Sequence, residues 1–320
     1  MVVARLGVSL LALVLVTACG LDFSTRQAAA AASCRPLAVV AATTGLREQD
    51  VYVLNLDGGT KALTNDKRSF GPAVGPDGKW MVITRGAKGS FSELTGYDKT
   101  SLEIIDRKGK RISKFPTEDG WNDANAAVSP DGSRIAFIRS SGDRTKLMVM
   151  AKSGKRQRVL RSDLGSIPQT QVMAWSPDGR SLAVVTRTPE SPHLLIIDTG
   201  DGRVASDTPA SSNWSHLAWS PDSTRILLSN TRYETGESVK EVVMATGVVT
   251  DIGRPTAGSW TNATYAPNDR EAYVLRYQPQ NGPSFIPQQI ERISLSGAVL
   301  NSGVADSRLL IGGLSVNDCS

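Results

Sequence analysis

Histidine is almost missing from this chain: 320 residues contain two, His193 and His216. No grouping of His, Cys, Asp and Glu has the spacing of a metal-ligand set, so no zinc-type centre is expected. A Gly-x-Ser-x-Gly elbow and a phosphate-binding glycine loop are both missing, which removes the commonest hydrolase and nucleotide signatures. His193, after Pro192, reads as a surface residue. His216 opens an apolar strand but has no identifiable catalytic partner. Long hydrophobic runs are also lacking: residues 6–16 form the only one, of signal-peptide length and too short to span a bilayer. The expectation is a chain with no cofactor, no metal and no enzymatic activity.

Repetition fills the space that chemistry leaves empty. Gly75-Pro76-Asp77-Gly78 returns as Ser129-Pro130-Asp131-Gly132, Ser176-Pro177-Asp178-Gly179, Ser220-Pro221-Asp222-Ser223 and Ala266-Pro267-Asn268-Asp269. The prolines are 54, 47, 44 and 46 residues apart, the length of one four-stranded propeller blade. In each copy Pro presets φ, the acid satisfies local backbone N–H groups and Gly accepts a positive φ, so each is a strand reversal. Asp77, Asp131, Asp178 and Asp222 are therefore turn formers rather than ligands.

Apolar runs follow the turns: Trp80-Met81-Val82-Ile83, Ile135-Ala136-Phe137-Ile138, Leu182-Ala183-Val184-Val185 and Ile226-Leu227-Leu228. Alternation is lost in them, as it is in strands covered on both faces. A second apolar strand, a hairpin and a weaker outer strand complete each unit. Repetition in a ring protects the sheet edges.

Pro-Asp-Gly turns followed by strands such as Ile135-Ala136-Phe137, with phrases such as Val51-Tyr52-Val53-Leu54-Asn55-Leu56-Asp57-Gly58-Gly59, resemble the TolB-type β-propeller repeat from Arg35 to the C-terminus. The resemblance implies an all-β fold and a role in envelope assembly or translocation. It is specific for fold and poor for function, because many activities sit on such propellers. Full TolB carries an α/β domain before its propeller and is soluble. Here only a short tether precedes the first strand, so coupling to Tol–Pal partners is not carried over. A lyase or hydrolase, or a ligand sensor, using the channel mouth is the alternative.

Five complete units begin near Phe70, Trp121, Gln169, Trp214 and Trp260. Residues 37–43, 51–56 and 61–64 supply three further strands without an innermost one, and residues 307–314 supply a lone strand. Joined, they make a sixth blade. A six-bladed propeller of four-stranded blades, closed by the C-terminal strand, is the expected fold. Cys34 and Cys319 flank the position of that blade's missing turn. A disulfide there would clasp nearly the whole mature chain, worth about 5 kcal/mol by loop entropy and about 2–5 in typical proteins.

The remaining cysteine, Cys19, ends Val16-Thr17-Ala18-Cys19, which resembles a bacterial lipoprotein box. Residues 1–18 read as the signal peptide, 19–34 as a lipidated tether and 35–320 as the propeller. An extracytoplasmic lipoprotein anchored to a membrane of the bacterial cell envelope follows, with Gly20 after the cysteine rather than an acid. Acyl chains add about 0.8 kcal/mol per buried CH₂.

Net charge is +5, or +4 once Arg5 leaves with the signal. Nucleic acid is discounted as a partner for an exported chain. Cations cluster in two hairpins, Arg107, Lys108, Lys110 and Arg111, then Lys152, Lys155, Arg156 and Arg158, on the rim that carries the turns. They suit anionic headgroups or wall polymers, and equally solvated turns. At the opposite rim, Phe70, Trp121, Trp214 and Trp260 precede four innermost strands, accompanied by Asn122, Asn125, Gln169, Gln171, His216 and Asn262. These ten residues are the candidate binding set for a protein or envelope-polymer partner at the channel mouth of a monomer. Inter-blade packing is the competing reading for the aromatics. Trp175 and Trp219, directly before turns, are core.

Peptide mapping without reductant should recover Cys34 linked to Cys319. A free thiol at either position would remove the clasp.

Overall fold

In the computed structural model, Gly132 N–H donates to the Ser129 carbonyl at 2.8 Å with Gly132 at φ +68°. The same closure recurs from Gly78 to Gly75, Gly179 to Ser176 and Ser223 to Ser220. The carboxylate locks the reversal: Asp131 accepts from Ser129 Oγ at 2.6 Å, Ser133 N–H at 3.0 Å and Ser133 Oγ at 2.6 Å. Asp178 and Asp222 are held in the same way by Ser176 and Ser220. The structure describes residues 37–43, 49–54, 60–89, 91–92, 96–97, 99–162, 164–165, 173–187, 192–209, 214, 216–229, 238–266, 269–277, 289–304 and 310–317. Cys19, Cys34, Cys319, Gln169 and Gln171 lie outside them. No helix among the described residues is long and apolar enough to cross a membrane.

The turns organise an all-β propeller of four-stranded blades. Blade 1 is Ser69–Val74, Trp80–Gly86, Thr100–Asp106 and Arg111–Phe115. Blade 2 is Asn122–Val128, Arg134–Ser141, Arg144–Ala151 and Arg158–Arg161. Blade 3 is Met173–Trp175, Ser181–Arg187, Pro192–Asp198 and Val204–Pro209. Blade 4 is His216–Trp219, Arg225–Ser229, Val239–Val243 and Val249–Gly253. Blade 5 is Ser259–Tyr265, Glu271–Tyr277, Gln289–Ser294 and Val299–Val304. Within each, the strands pair antiparallel in chain order.

Six blades are expected from the sequence. Five are continuous in the chain and described with their side chains. The other four-stranded sheet takes Leu310–Asn317, Leu37–Thr43, Gln49–Leu54 and Thr60–Ala62 in that order, and its first two strands are described by backbone pairing alone, with Leu37 opposite Asn317.

Burial on both faces explains the unbroken apolar runs. In blade 2, Ile135 and Phe137 pack against Val82, Leu102 and Ile104 of blade 1, while Ala136 and Ile138 pack against Leu182 and Val184 of blade 3. Hydrogen bonds stitch the same wedges. Trp175 Nε1 donates to the Ala127 carbonyl and Trp219 Nε1 to the Ala174 carbonyl, both at 3.1 Å. The outer hairpins interlock too: a Cβ at Gly109 or Gly202 would overlap the carbonyl of Leu63 or Leu160 on the preceding sheet. Only glycine permits that approach at their φ of +82° and +80°.

The turn carboxylates give stability a defined acid limb. Hydrogen bonds from Ser129 and Ser133 bring Asp131 down to about 2 from an ordinary 3.8. For Asp222, burial opposes ionisation, yet bonds from Ser220 and Thr224 outweigh it and also set about 2. A lowered folded-state pKa stabilises above the ordinary value and is lost as pH falls through the folded one. Stability should therefore drop between pH 4 and pH 2, by roughly 1 kcal/mol per site after solvent screening. The Asp131→Asn/Asp222→Asn variant should show a flatter slope in urea titrations across that window; an identical slope would contradict the assignment.

Candidate binding cleft

Second strands run from the turn rim to the far rim, where three carry an arginine at one register: Arg85 opposite Ser69, Arg139 opposite Asp123 and Arg276 opposite Trp260. A guanidinium at such depth needs a carboxylate. Buried Glu103, Asp123 and Glu291 supply it. Arg139 forks onto Asp123, Nε donating to Oδ1 at 2.7 Å and Nη2 to Oδ2 at 2.9 Å. The Asp123 hydrogen bond raises the Arg139 pKa above its ordinary value. Arg85 Nε donates to Glu103 Oε2 at 2.8 Å and the guanidinium also touches Asp66. Arg276 donates to Glu291 at 2.9 Å, and Trp260 Nε1 donates to the other Glu291 oxygen at 2.6 Å. These clusters fix strand ends. Breaking a buried pair on one side costs about 3–5 kcal/mol.

Beside the first cluster, over the far end of blade 1, the rim opens into a cleft of about 420 Å³. Arg68 bounds it on the terminal-sheet side and Trp121 on the blade 2 side. Residues 87–99, which connect the second and third strands of blade 1, contribute Ala87, Lys88 and Lys99 to its wall. Arg68, Arg85, Lys88, Lys99, Arg111 and Lys114 line it against Glu103, Glu118 and Asp119, an excess of three positive charges. Arg85 is committed to Glu103, Arg111 lies 3.5 Å from the same carboxylate and Lys99 3.9 Å from Asp119. Lys88 and Lys114 have no ion pair among the described residues. Trp121 is half-buried, with Lys146 Nζ 4.4 Å and the Arg144 guanidinium 4.8 Å from its ring centre.

The expected ring of aromatics at one mouth does not form. Trp214 is 2% exposed and fills the wedge between blades 3 and 4 with Val185, Leu217 and Ile226. Trp260, equally buried, fills the next wedge with Leu227 and Ile252. Distance from a turn fixes a residue's height in the blade and not the face it takes, and a large ring at that height fills the gap between sheets. Phe70 is half-buried on the innermost strand of blade 1, opposite Thr84. Asn122 Oδ1 accepts the Thr100 N–H at 2.8 Å, tying blade 2 to blade 1. Asn125 and Asn262 sit at φ +51° and +53° in matching bulges of innermost strands, where asparagine tolerates the left-handed region. His216 is buried opposite Ser229. His193 Nδ1 lies 2.6 Å from Asp207. Of the described members of the candidate set, Trp121 alone lines the cleft.

Comparison with known proteins agrees with the fold. No family model matches the chain. It is 33% identical over 116 residues to the Tol-Pal system protein TolB of Anaeromyxobacter dehalogenans, a match covering 36% of this chain and 24% of that protein. The chain thus spans about a quarter of the length of the TolB proteins it matches. An uncharacterized protein of Agrobacterium fabrum is 25% identical over 157 residues, 45% of this chain and 50% of that one. Among solved structures, TolB from Acinetobacter baumannii superposes with a TM-score of 0.66 at 18% identity, covering 88% of this chain and 66% of that one. A chain of a nidogen/laminin complex reaches the same TM-score at 13% identity, covering 89% of this chain and all of that one. At such identities these structures share the fold alone. The chain is a TolB-like β-propeller.

Trp214→Ala and Trp260→Ala should each lower the unfolding free energy by about 3–5 kcal/mol in urea titrations, and Trp121→Ala by no more than about 1. An equal loss at Trp121 would make it a packing residue as well.

Proposed function

We propose that this chain is a non-enzymatic, lipid-anchored scaffold of the bacterial cell envelope that holds a protein or polymer partner in the cleft over blade 1. The observation that carries the reading is the cleft's pairing of excess cationic charge with one accessible indole, beside strand ends that Arg–carboxylate pairs hold in blades 1, 2 and 5. A net positive charge beside an aromatic suits an extended, anionic surface better than a small molecule. Likeness to a Tol-Pal system protein supports an extracytoplasmic placement. Residues 1–18 export the chain, Cys19 takes the acyl group, 19–34 form the tether and 35–320 a monomeric propeller.

The terminal sheet acts as the sixth blade. In support, the innermost strands touch in cyclic order, Leu310–Asn317 reaching both Ser259–Tyr265 of blade 5 and Ser69–Val74 of blade 1. Leu37, opposite Asn317, follows Cys34 by three residues, and Asn317 precedes Cys319 by two. A disulfide there would stand in for the turn phrase that this blade lacks.

The mature protein should capture a defined partner from detergent-solubilised envelope. A Lys88→Glu/Lys114→Glu/Trp121→Ala variant of unchanged melting temperature should recover it about ten-fold less or worse. Equal recovery by the variant would place the partner elsewhere.

A further inference from the structure

Strand order determines the rim from which the chain's first described residue sets out. In blades 1 to 5 the second strand begins directly after the turn phrase, at Trp80, Arg134, Ser181, Arg225 and Glu271. Leu37–Thr43 is the second strand of the terminal sheet. Leu37 is therefore on the turn rim, and the polypeptide leading back to Cys19 departs from that side. Both cationic hairpins lie on this rim, in adjacent blades. Arg107, Lys108, Lys110, Lys152, Lys155 and Arg156 are all exposed there. Asp106 is the one carboxylate within the two hairpins, and the N–H groups of Lys108 and Lys110 hold it at 2.8 and 2.9 Å. The turns of the same two blades add exposed Asp77, Lys79 and Asp131, which leaves cations in excess, whereas blade 3 carries Asp198 and Asp201 in its hairpin, so the positive face belongs to blades 1 and 2. Beside the hairpins, at the start of the outermost strands, Ile112 is 58% and Val159 46% exposed.

We propose that the turn rim of blades 1 and 2 rests on anionic lipid headgroups, its hairpin cations on the phosphates and Ile112 and Val159 at the interface, so that the cleft faces away from the membrane. The inference rests on the reading of Cys19 as the acylated anchor. Eighteen residues from Cys19 to Leu37 reach at most about 60 Å, so the tether permits this orientation without enforcing it. Charge supplies the bias: each Lys or Arg near an anionic leaflet is attracted within a Debye length, and exposed aliphatics add apolar burial.

The test uses the acylated, cell-processed protein reconstituted on vesicles, with a fluorophore on Lys108→Cys or Lys88→Cys and a nitroxide on the lipid headgroups. With phosphatidylglycerol present, the turn-rim probe should be quenched about two-fold or more above the far-rim probe, and pure phosphatidylcholine should reduce that difference. Equal or stronger quenching at residue 88, or no dependence on phosphatidylglycerol, overturns the orientation while leaving the anchor intact. Protein that never reaches the vesicles overturns the anchor and the orientation together.

Discussion

The second strands of blades 1 to 4 are apolar and buried on both faces, and in a chain built of strands only another sheet on each side covers both. Ile135 and Phe137 need blade 1 while Ala136 and Ile138 need blade 3, so blade 2 has no stable existence without two neighbours. Applied to blades 1 to 4, this requirement arranges the sheets face to face. Bonds such as Trp175 to Ala127 and the approach of Gly109 to Leu63 are refinements on that packing.

Packing of this kind consumes the faces of the blades and leaves only their ends for other work. At the turn rim the ends are tight reversals and mobile-length cationic side chains. At the far rim, blades 1, 2 and 5 end in Arg–carboxylate clusters, and over blade 1 the extra chain between the second and third strands builds the cleft beside its cluster. Function on this fold is thus a matter of what each rim meets, and over blades 1 and 2 the two rims differ in kind: one carries an excess of exposed cations beside exposed aliphatics, the other a recess with an indole at its edge.

Most of the fold was legible because turns are chemical. Pro130, Asp131 and Gly132 each have a local reason to sit where they do, and the phrase returns whole at 76–78 and 177–179 and with Ser223 in place of glycine at 221–223. Trp175 and Trp219, directly before turns, were legible as core for the same reason. The aromatics farther from the turns were not separated, although Trp214 and Trp260 lie seven residues before their turn prolines and Trp121 nine before Pro130, just outside its strand. Three features left a readable trace that was missed. The 54-residue spacing of the first unit announces the segment at 87–99. Arg85, Arg139 and Arg276 each end an apolar run. Gly71-Pro72-Ala73, Asn125-Ala126-Ala127 and Asn262-Ala263-Thr264 mark one bulge, in which the asparagines serve backbone geometry. Glu103 and Glu291, isolated within apolar strands, gave no sign of the arginines they would meet.

In the proposed six-bladed ring, continuous face-to-face burial depends on the sheet that joins the two ends of the chain. Amide hydrogen exchange on Leu37–Thr43 and Leu310–Asn317 tests it most directly. The account predicts protection comparable with Arg134–Ser141 in blade 2, lost in the same cooperative transition. Rapid exchange in the two terminal strands while blade 2 stays protected would contradict it.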